Sequence, residues 1–202
     1  MNFRYANRKY DKGITKKDTV TVECMGQIKT LKLFTMFSNV NLVTVDMGKP
    51  EFTPAKVPVL ASDAMNIPLT VSGETYFGNC VSVGNPHCVI FCDKPDELNL
   101  KSIGPLMENH PLFPERVNTE FVRVIDKTTI KMRVFECGNG ETGACGTGAC
   151  AAAAIAVKKG YCSYGQPITV KAADGDLTVV YTDEKIELTG DTKLIFESTF
   201  SC

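Results

Sequence analysis

The sequence feature that most constrains the fold is a strand, a glycine-rich loop and an alanine-rich helix in direct succession. Lys131-Met-Arg-Val-Phe-Glu136 alternates polar and apolar residues, which predicts a strand. Next comes Glu136-Cys-Gly-Asn-Gly-Glu-Thr-Gly-Ala-Cys145-Gly-Thr-Gly-Ala-Cys150, whose glycines let the backbone approach a ligand closely. The run Ala149 to Lys159 favours a helix that Gly160 ends. Cys145 is therefore predicted at, or just before, the first turn of a helix.

That position predicts half of an active site. The first N–H groups of a helix lack partners within the helix, and the macrodipole is positive there. Both effects are expected to favour the thiolate of Cys145, and both offer a seat for a substrate carboxylate.

Composition excludes several classes of protein. The net charge of −1 gives no electrostatic footprint for nucleic acid or a membrane surface. No secretory signal pattern opens the chain and the alanine run is too short to span a bilayer, so a cytoplasmic protein is predicted. The 202 residues suffice for one sizeable domain or two small ones. The nine cysteines are expected to be mostly buried small hydrophobes rather than a disulfide framework.

A helix end followed by three strands occurs twice in the sequence. Lys12-Gly13 precedes strands predicted from Val20, Leu31 and Val43, and Lys159-Gly160 precedes a similar series from Ile168. This spacing indicates an internal duplication, with chance similarity of two meanders as the alternative. In a duplicated chain, the first copy of the cysteine loop would fall before residue 1, and residues 1 to 8 would be the interior of a helix.

Several chemistries compete for the cysteine loop. Gly138 to Gly143 matches the dinucleotide pattern G-x-G-x-x-G, but no acidic residue ends a second strand at the required distance, and a P-loop would need Lys-Ser/Thr after its last glycine. Paired C-x-x-C spacing is missing, so no metal site is predicted. A nucleophilic cysteine would need His87 or His110 as its base. A cysteine can also move a proton at carbon, opposite a second thiol on the other face.

The motifs of this chain resemble those of the diaminopimelate epimerase family. The resemblance rests on Gly84-Asn-Pro-His87, on Phe113-Pro-Glu-Arg-Val-Asn118-Thr-Glu-Phe and on the cysteine loop, and it runs from about residue 3 to the end. It implies an α+β fold of two pseudo-symmetric halves, each a curved mixed or antiparallel sheet wrapped around a central helix. The halves are expected at residues 1–47, with a strand from 191–202 returning to them, and at 48–190.

The resemblance also implies an activity and a site. The family interconverts LL- and meso-diaminopimelate, a precursor of lysine and peptidoglycan, without a cofactor and with two cysteines. The implied catalytic residues are Cys145, Glu136 and His87. The implied substrate-binding residues are Asn85, Asn118, Glu136, Cys137, Gly146 and Thr147. For Glu136 and Asn118, purely structural roles in the loop and its turn stay open.

Two departures from the family pattern qualify this expectation. Cys137 stands where the family carries an arginine that grips the distal carboxylate, which leaves open a related racemase of other specificity. The family's N-terminal segment of about 70 residues, with the first catalytic cysteine, is absent from the sequence, as the repeat also indicates. The chain alone is therefore expected to be weakly active or inactive. Its alternatives are a non-catalytic remnant and a split-enzyme subunit, with a homodimer or a complementing upstream fragment as partner.

Overall fold

The structure, a computed structural model, describes residues 10–24, 26–37 and 39–192. The chain divides into two compact units, one of residues 1–46 with 188–202 and one of residues 47–187. The helix interior predicted for residues 1–8 lies outside the described residues. So does the returning strand predicted for 191–202, from residue 193 onwards.

The first unit contains an antiparallel meander. Its strands are β1 (Thr19–Cys24), β2 (Gln27–Met36) and β3 (Asn39–Gly48), and the last strand of the described chain, β12 (Ile186–Asp191), lies next to β3. Leu31 and Leu33 on β2 and Val43 and Val45 on β3 are buried. This period of two follows from the alternation of side chains along a strand, and it gives the unit one apolar face.

The second unit is built on a mixed sheet. Its strands are β4 (Ile67–Val71), β5 (Glu74–Ser82), β6 (Pro86–Phe91), β7 (Asn118–Asp126), β8 (Thr129–Glu136), β9 (Gly140–Thr142), β10 (Pro167–Ala172) and β11 (Gly175–Tyr181). Their order is β11-β10-β8-β7-β6-β5-β4, with β9 paired to β8. The β6–β7 and β8–β10 pairs are parallel and the others are antiparallel. The predicted α+β class is confirmed.

Both faces of this sheet are covered. On one face, α1 (Leu100–Glu108) packs with an apolar cluster that includes Leu69, Phe121 and Phe135. On the other face, α2 (Gly146–Lys158) contacts β5, β6, β7, β8, β10 and β11. Every residue of α2 from Gly148 to Ala156 is buried, because a helix this apolar on all sides is stable only inside the protein.

The sequence placed the central elements well and two peripheral ones less well. α2 begins at Gly146, three residues before the predicted start, and Gly160 beyond its end has φ +74°. From Asp96 to Met107 the sequence predicts a helix entered through Pro95. This is wrong at its beginning, because Pro95–Glu97 forms a short 3₁₀ turn and α1 begins only at Leu100. For residues 61–69 the sequence predicts a loop or a short helix. The structure instead has a strand from Ile67, since Ile67, Leu69 and Val71 alternate into the core.

The two predicted repeats share local geometry. Gly13 and Gly160 both have left-handed φ angles, +70° and +74°, where a helix ends. In each repeat the first hairpin then closes between residues three apart, Cys24 with Gln27 and Ala172 with Gly175. The duplication itself stays a prediction. None of the helices in the described part of the chain is long and apolar enough to cross a membrane.

Candidate active site around Cys145

Cys145 is the N-cap of α2. Its extended backbone (φ −129°, ψ 116°) joins the loop to the helix, and its Sγ accepts a hydrogen bond from the Gly148 N–H at 3.3 Å. The hydroxyl of Thr147 lies 3.4 Å from the same sulfur. The residue is 7% exposed. The predicted place of Cys145 at the helix start is thus confirmed, and its sulfur takes the part that a serine or aspartate oxygen usually plays at an N-cap.

Two N–H groups at the start of α2 have no hydrogen-bond partner among the residues that the structure describes. The first backbone N–H groups of a helix have no intrahelical acceptor. Gly148 donates to the Cys145 sulfur, whereas the N–H groups of Gly146 and Thr147 have no hydrogen bond within the described residues. Both residues are half-buried. They form a pair of donors, beside the sulfur, that suits a carboxylate.

The Cys145 thiol is protonated in the free protein. Burial raises its pKa to about 12, and the charge of Glu120 adds to that effect. The contacts with Thr147 and Gly148 lower the pKa, but by less. The helix start lowers the pKa as expected, but desolvation and a nearby carboxylate outweigh it in the ligand-free protein, so the pKa of the thiol ends above its ordinary value.

A buried pair, His87 and Glu120, lies against this helix start. His87 Nδ1 is 2.7 Å from Glu120 Oε1, and His87 Nε2 is 3.1 Å from Asn85 Oδ1. Neither side chain of the pair is exposed at all. Burial raises the pKa of Glu120, although His87 opposes the shift. Because both ring nitrogens of His87 are engaged, the alternative of a Cys–His hydrolase with His87 as its base loses support.

Asn118 ties the loop to the sheet. It shares a sheet face with Glu120, two residues along β7. Its Oδ1 accepts from the Cys137 N–H at 2.9 Å, and its Nδ2 donates to the Pro86 carbonyl at 2.9 Å. Glu136, at the end of β8, accepts a hydrogen bond from the Thr142 hydroxyl within the loop.

Cys137 contacts the carboxylate of Glu108, which also binds the guanidinium of Arg116. Its Sγ lies 3.3 Å from Glu108 Oε1, which also accepts from Gly138 N–H at 3.1 Å and from Arg116 at 3.0 Å. Burial and Glu108 raise the pKa of the Cys137 thiol. Arg116 has a left-handed backbone, φ +62°, which a non-glycine residue keeps only when its surroundings hold it there.

The remaining candidates lie elsewhere. His110 lines a separate cavity of about 280 Å³ with Thr70 and Pro105. Four further cysteines are buried as predicted: Cys80, Cys88, Cys150 and Cys162. The described residues contain no cluster of His, Cys, Asp and Glu that could hold a metal ion. Sequence reasoning missed Glu120, although its place two residues after Asn118 puts it on the same face of β7.

Comparison with known proteins gives the chain its family. A family model for diaminopimelate epimerase matches residues 79–195. The diaminopimelate epimerase of Methanococcus maripaludis is 45% identical over 192 residues, which cover 93% of this chain and 69% of that protein. The chain belongs to the diaminopimelate epimerase family. The diaminopimelate epimerase of Desulfovibrio desulfuricans is 42% identical over 201 residues, covering 95% of this chain and 69% of that one.

Solved structures of distant relatives share the fold of this family member. A hydroxyproline epimerase from Agrobacterium vitis matches with a TM-score of 0.68 at 14% identity, covering 93% of this chain and 61% of that chain. A Bacillus anthracis phenazine biosynthesis protein of the PhzF family matches with a TM-score of 0.58 at 15% identity, covering 93% of this chain and 71% of that one. At such identities the likeness concerns the fold alone.

Proposed function

We propose that this chain takes part in the interconversion of LL- and meso-diaminopimelate, with Cys145 transferring the α-proton on one face and no cofactor involved. The observation that carries the proposal is the helix start itself. Cys145 caps α2, and the adjacent N–H groups of Gly146 and Thr147 are free to bind the α-carboxylate. A substrate carboxylate seated there brings its α-carbon next to the sulfur.

The chemistry demands electrostatic stabilisation. Removing a proton from the α-carbon builds negative charge towards the carboxylate, and fixed N–H donors in a site that excludes water stabilise that charge. Because Cys145 rests as a thiol in the free protein, the reaction on its face proceeds through its small thiolate fraction. The α-C–H bond breaks as an S–H bond forms, and the thiol can return a proton to the same carbon. For inversion, a group on the opposite face donates the proton to the carbon instead, and the Cys145 thiol then releases its own proton to the solvent.

The other residues of the site bind the substrate or orient the groups around it. Asn85 and Asn118 present amides to the substrate, while His87 and Glu136 hold the surrounding groups in place. We assign this work to the half of the fold expected at residues 48–190, and the remainder, 1–47 with 191–202, to the other half. A homodimer or a complementing upstream fragment is the partner that would supply a group for the opposite face of the substrate.

The side chain at position 137 supports a second candidate function. In this alternative, the chain is a related amino-acid racemase of other specificity that also works without pyridoxal phosphate. The loop offers a thiol bonded to Glu108 at this position, and a thiol gives no charge-assisted grip on a distal carboxylate. Arg116 is the nearby cation. Only its NH1 is engaged, by Glu108, within the described residues, so its other nitrogens can bind an anion.

Exchange in D2O tests the proposal, because it separates proton removal from inversion. LL-Diaminopimelate is incubated with the 202-residue chain, and α-deuterium and stereochemistry are measured separately. We expect slow deuterium incorporation with little inversion, since Cys145 serves one face only. Cys145→Ala should abolish incorporation, whereas Cys92→Ala, at a half-buried cysteine away from α2, should not. Incorporation that survives Cys145→Ala would refute the assignment, and rapid inversion by the chain alone would refute the single-face role.

A further inference from the structure

Glu120 is a buried carboxyl group that is only half satisfied. Its Oε1 contacts His87 Nδ1 at 2.7 Å, whereas its Oε2 has no hydrogen-bond partner among the described residues. A buried carboxylate oxygen without a partner is costly. A protein keeps such a group where its charge or its proton is used, which makes Glu120 a candidate for a role in the site.

Both ring nitrogens of His87 have partners. Nδ1 is 2.7 Å from Glu120 Oε1, and Nε2 is 3.1 Å from Asn85 Oδ1. These two contacts fix the imidazole ring and hold Glu120 Oε1 in place beside it.

The pair also lies close to the sulfur. A Cβ placed on Gly148 would be 2.7 Å from Glu120 Oε1 and 3.3 Å from Cys145 Sγ. The carboxyl group and the sulfur therefore both lie against Gly148, on the side where a Cβ would stand.

We propose that Glu120 is a positioning residue that, paired with His87, keeps the sulfur of Cys145 protonated in the ligand-free protein. The charge that it places behind Gly148 opposes a second negative charge on the sulfur. The pKa of the Cys145 thiol is a property of the ligand-free protein and does not depend on the function proposed above. Only the consequence for catalysis, a site that starts from the thiol, rests on that function.

Other ionisable groups act on the same sulfur and have to be separated from Glu120. Glu136 from β8 also raises the pKa of Cys145. Cys150 lies farther along α2, fully buried with a raised pKa of its own. His87 from β6 contacts Glu120 directly. Of the carboxyl groups, Glu120 has the larger effect on Cys145, in keeping with its place directly behind Gly148.

The experiment measures the ionisation of this one cysteine. The folded protein is treated with iodoacetamide across a pH series, and mass spectrometry of the Cys145 peptide gives the alkylation rate at each pH. Glu120→Gln should lower the midpoint of the profile by about one pH unit, so that Cys145 is alkylated roughly tenfold faster at about pH 8. Glu120→Met, which also removes the unpaired oxygen, should shift the midpoint in the same direction.

Glu141→Gln is the matched control, because it removes the same charge from an exposed position of the cysteine loop. It should leave the midpoint unchanged. A purely structural role of Glu120 would alter the alkylation rate at every pH without moving the midpoint, and that result overturns the proposal. So does a wild-type midpoint at or below the ordinary range for cysteine, a measurement that needs no variant. Failure of the α-deuterium exchange would count against the proposed function and not against this inference.

Discussion

The side-chain oxygen of Asn118 accepts a hydrogen bond from the backbone N–H of Cys137 at 2.9 Å. The amide nitrogen of the same side chain donates to the Pro86 carbonyl on β6. One nearly buried side chain on β7 therefore holds both the neighbouring strand and the first residue of the cysteine loop. The loop owes its position relative to the sheet to this contact as much as to its own glycines.

The first prediction concerns this bridge. Asn118→Ala should lower the free energy of unfolding by about 1–3 kcal/mol, because it leaves the N–H of Cys137 and the carbonyl of Pro86, both at half-buried residues, without this partner. Asn118→Asp should cost less, since it keeps the acceptor for Cys137. Urea denaturation measures both. Asn139→Ala, at an exposed loop position, should change stability by no more than about 0.5 kcal/mol; equal losses for Asn118→Ala and this control would contradict the bridging role.

The second prediction concerns pH. The pKa of Cys145 is about 12 in the folded protein, whereas a cysteine in an unfolded chain ionises near about 8.5. Between these values the folded state keeps a proton that the unfolded chain releases, so stability falls as the pH rises. Cys145→Ala removes this contribution and should lose less stability than the wild type between about pH 8 and pH 11. Denaturation at a series of pH values tests it, with Ala144→Ser as a control that changes no ionisable group; parallel curves for wild type and Cys145→Ala would disprove it.

The third prediction concerns Gly148. Alanine in a helix interior is normally favoured over glycine by about 1 kcal/mol. Here the added Cβ would meet Glu120 Oε1 at 2.7 Å and the Cys145 side chain at 3.2 Å. Gly148→Ala should therefore destabilise the protein by about 1–3 kcal/mol. In a double-mutant cycle with Glu120→Ala, the combined loss should be smaller than the sum of the single losses, because the clash disappears with the carboxyl group. Strict additivity would show that the two residues do not meet.

The fourth prediction concerns substrate preference. If the distal carboxylate of the substrate lies beside Cys137 and Arg116, Arg116→Ala should weaken binding of diaminopimelate roughly tenfold, because a charge-assisted contact is lost. Binding of lysine, which has no distal carboxylate, should change little. Calorimetric titration of both ligands provides the comparison, and Arg123→Ala, on an exposed part of β7, is the control. An equal loss for both ligands would mean that Arg116 only supports the loop through Glu108.

Much of the site's frame is local in sequence and could be predicted. The strand before the loop, the glycines within it and the alanine helix after it follow one another without interruption. The residue at which α1 begins was harder to predict from the sequence. Leu98 takes an extended backbone (φ −74°, ψ 134°) after the turn at Pro95–Glu97 and delays the helix, and no pattern of apolar residues marks such a break.

By itself, the sequence determined the strand, loop and helix around Cys145 and the place of that cysteine at the helix start, because propensity, glycine freedom and capping act between residues close in the chain. Only the tertiary structure decided the protonation of the sulfur. Glu120 lies on β7, outside the strand, loop and helix around Cys145. It pairs with His87 on β6, 33 residues earlier in the chain, because β6 and β7 are neighbouring parallel strands. Burial and that distant charge then outweigh the local effect of the helix terminus, since desolvation depends on everything packed around a group rather than on its neighbours in the chain.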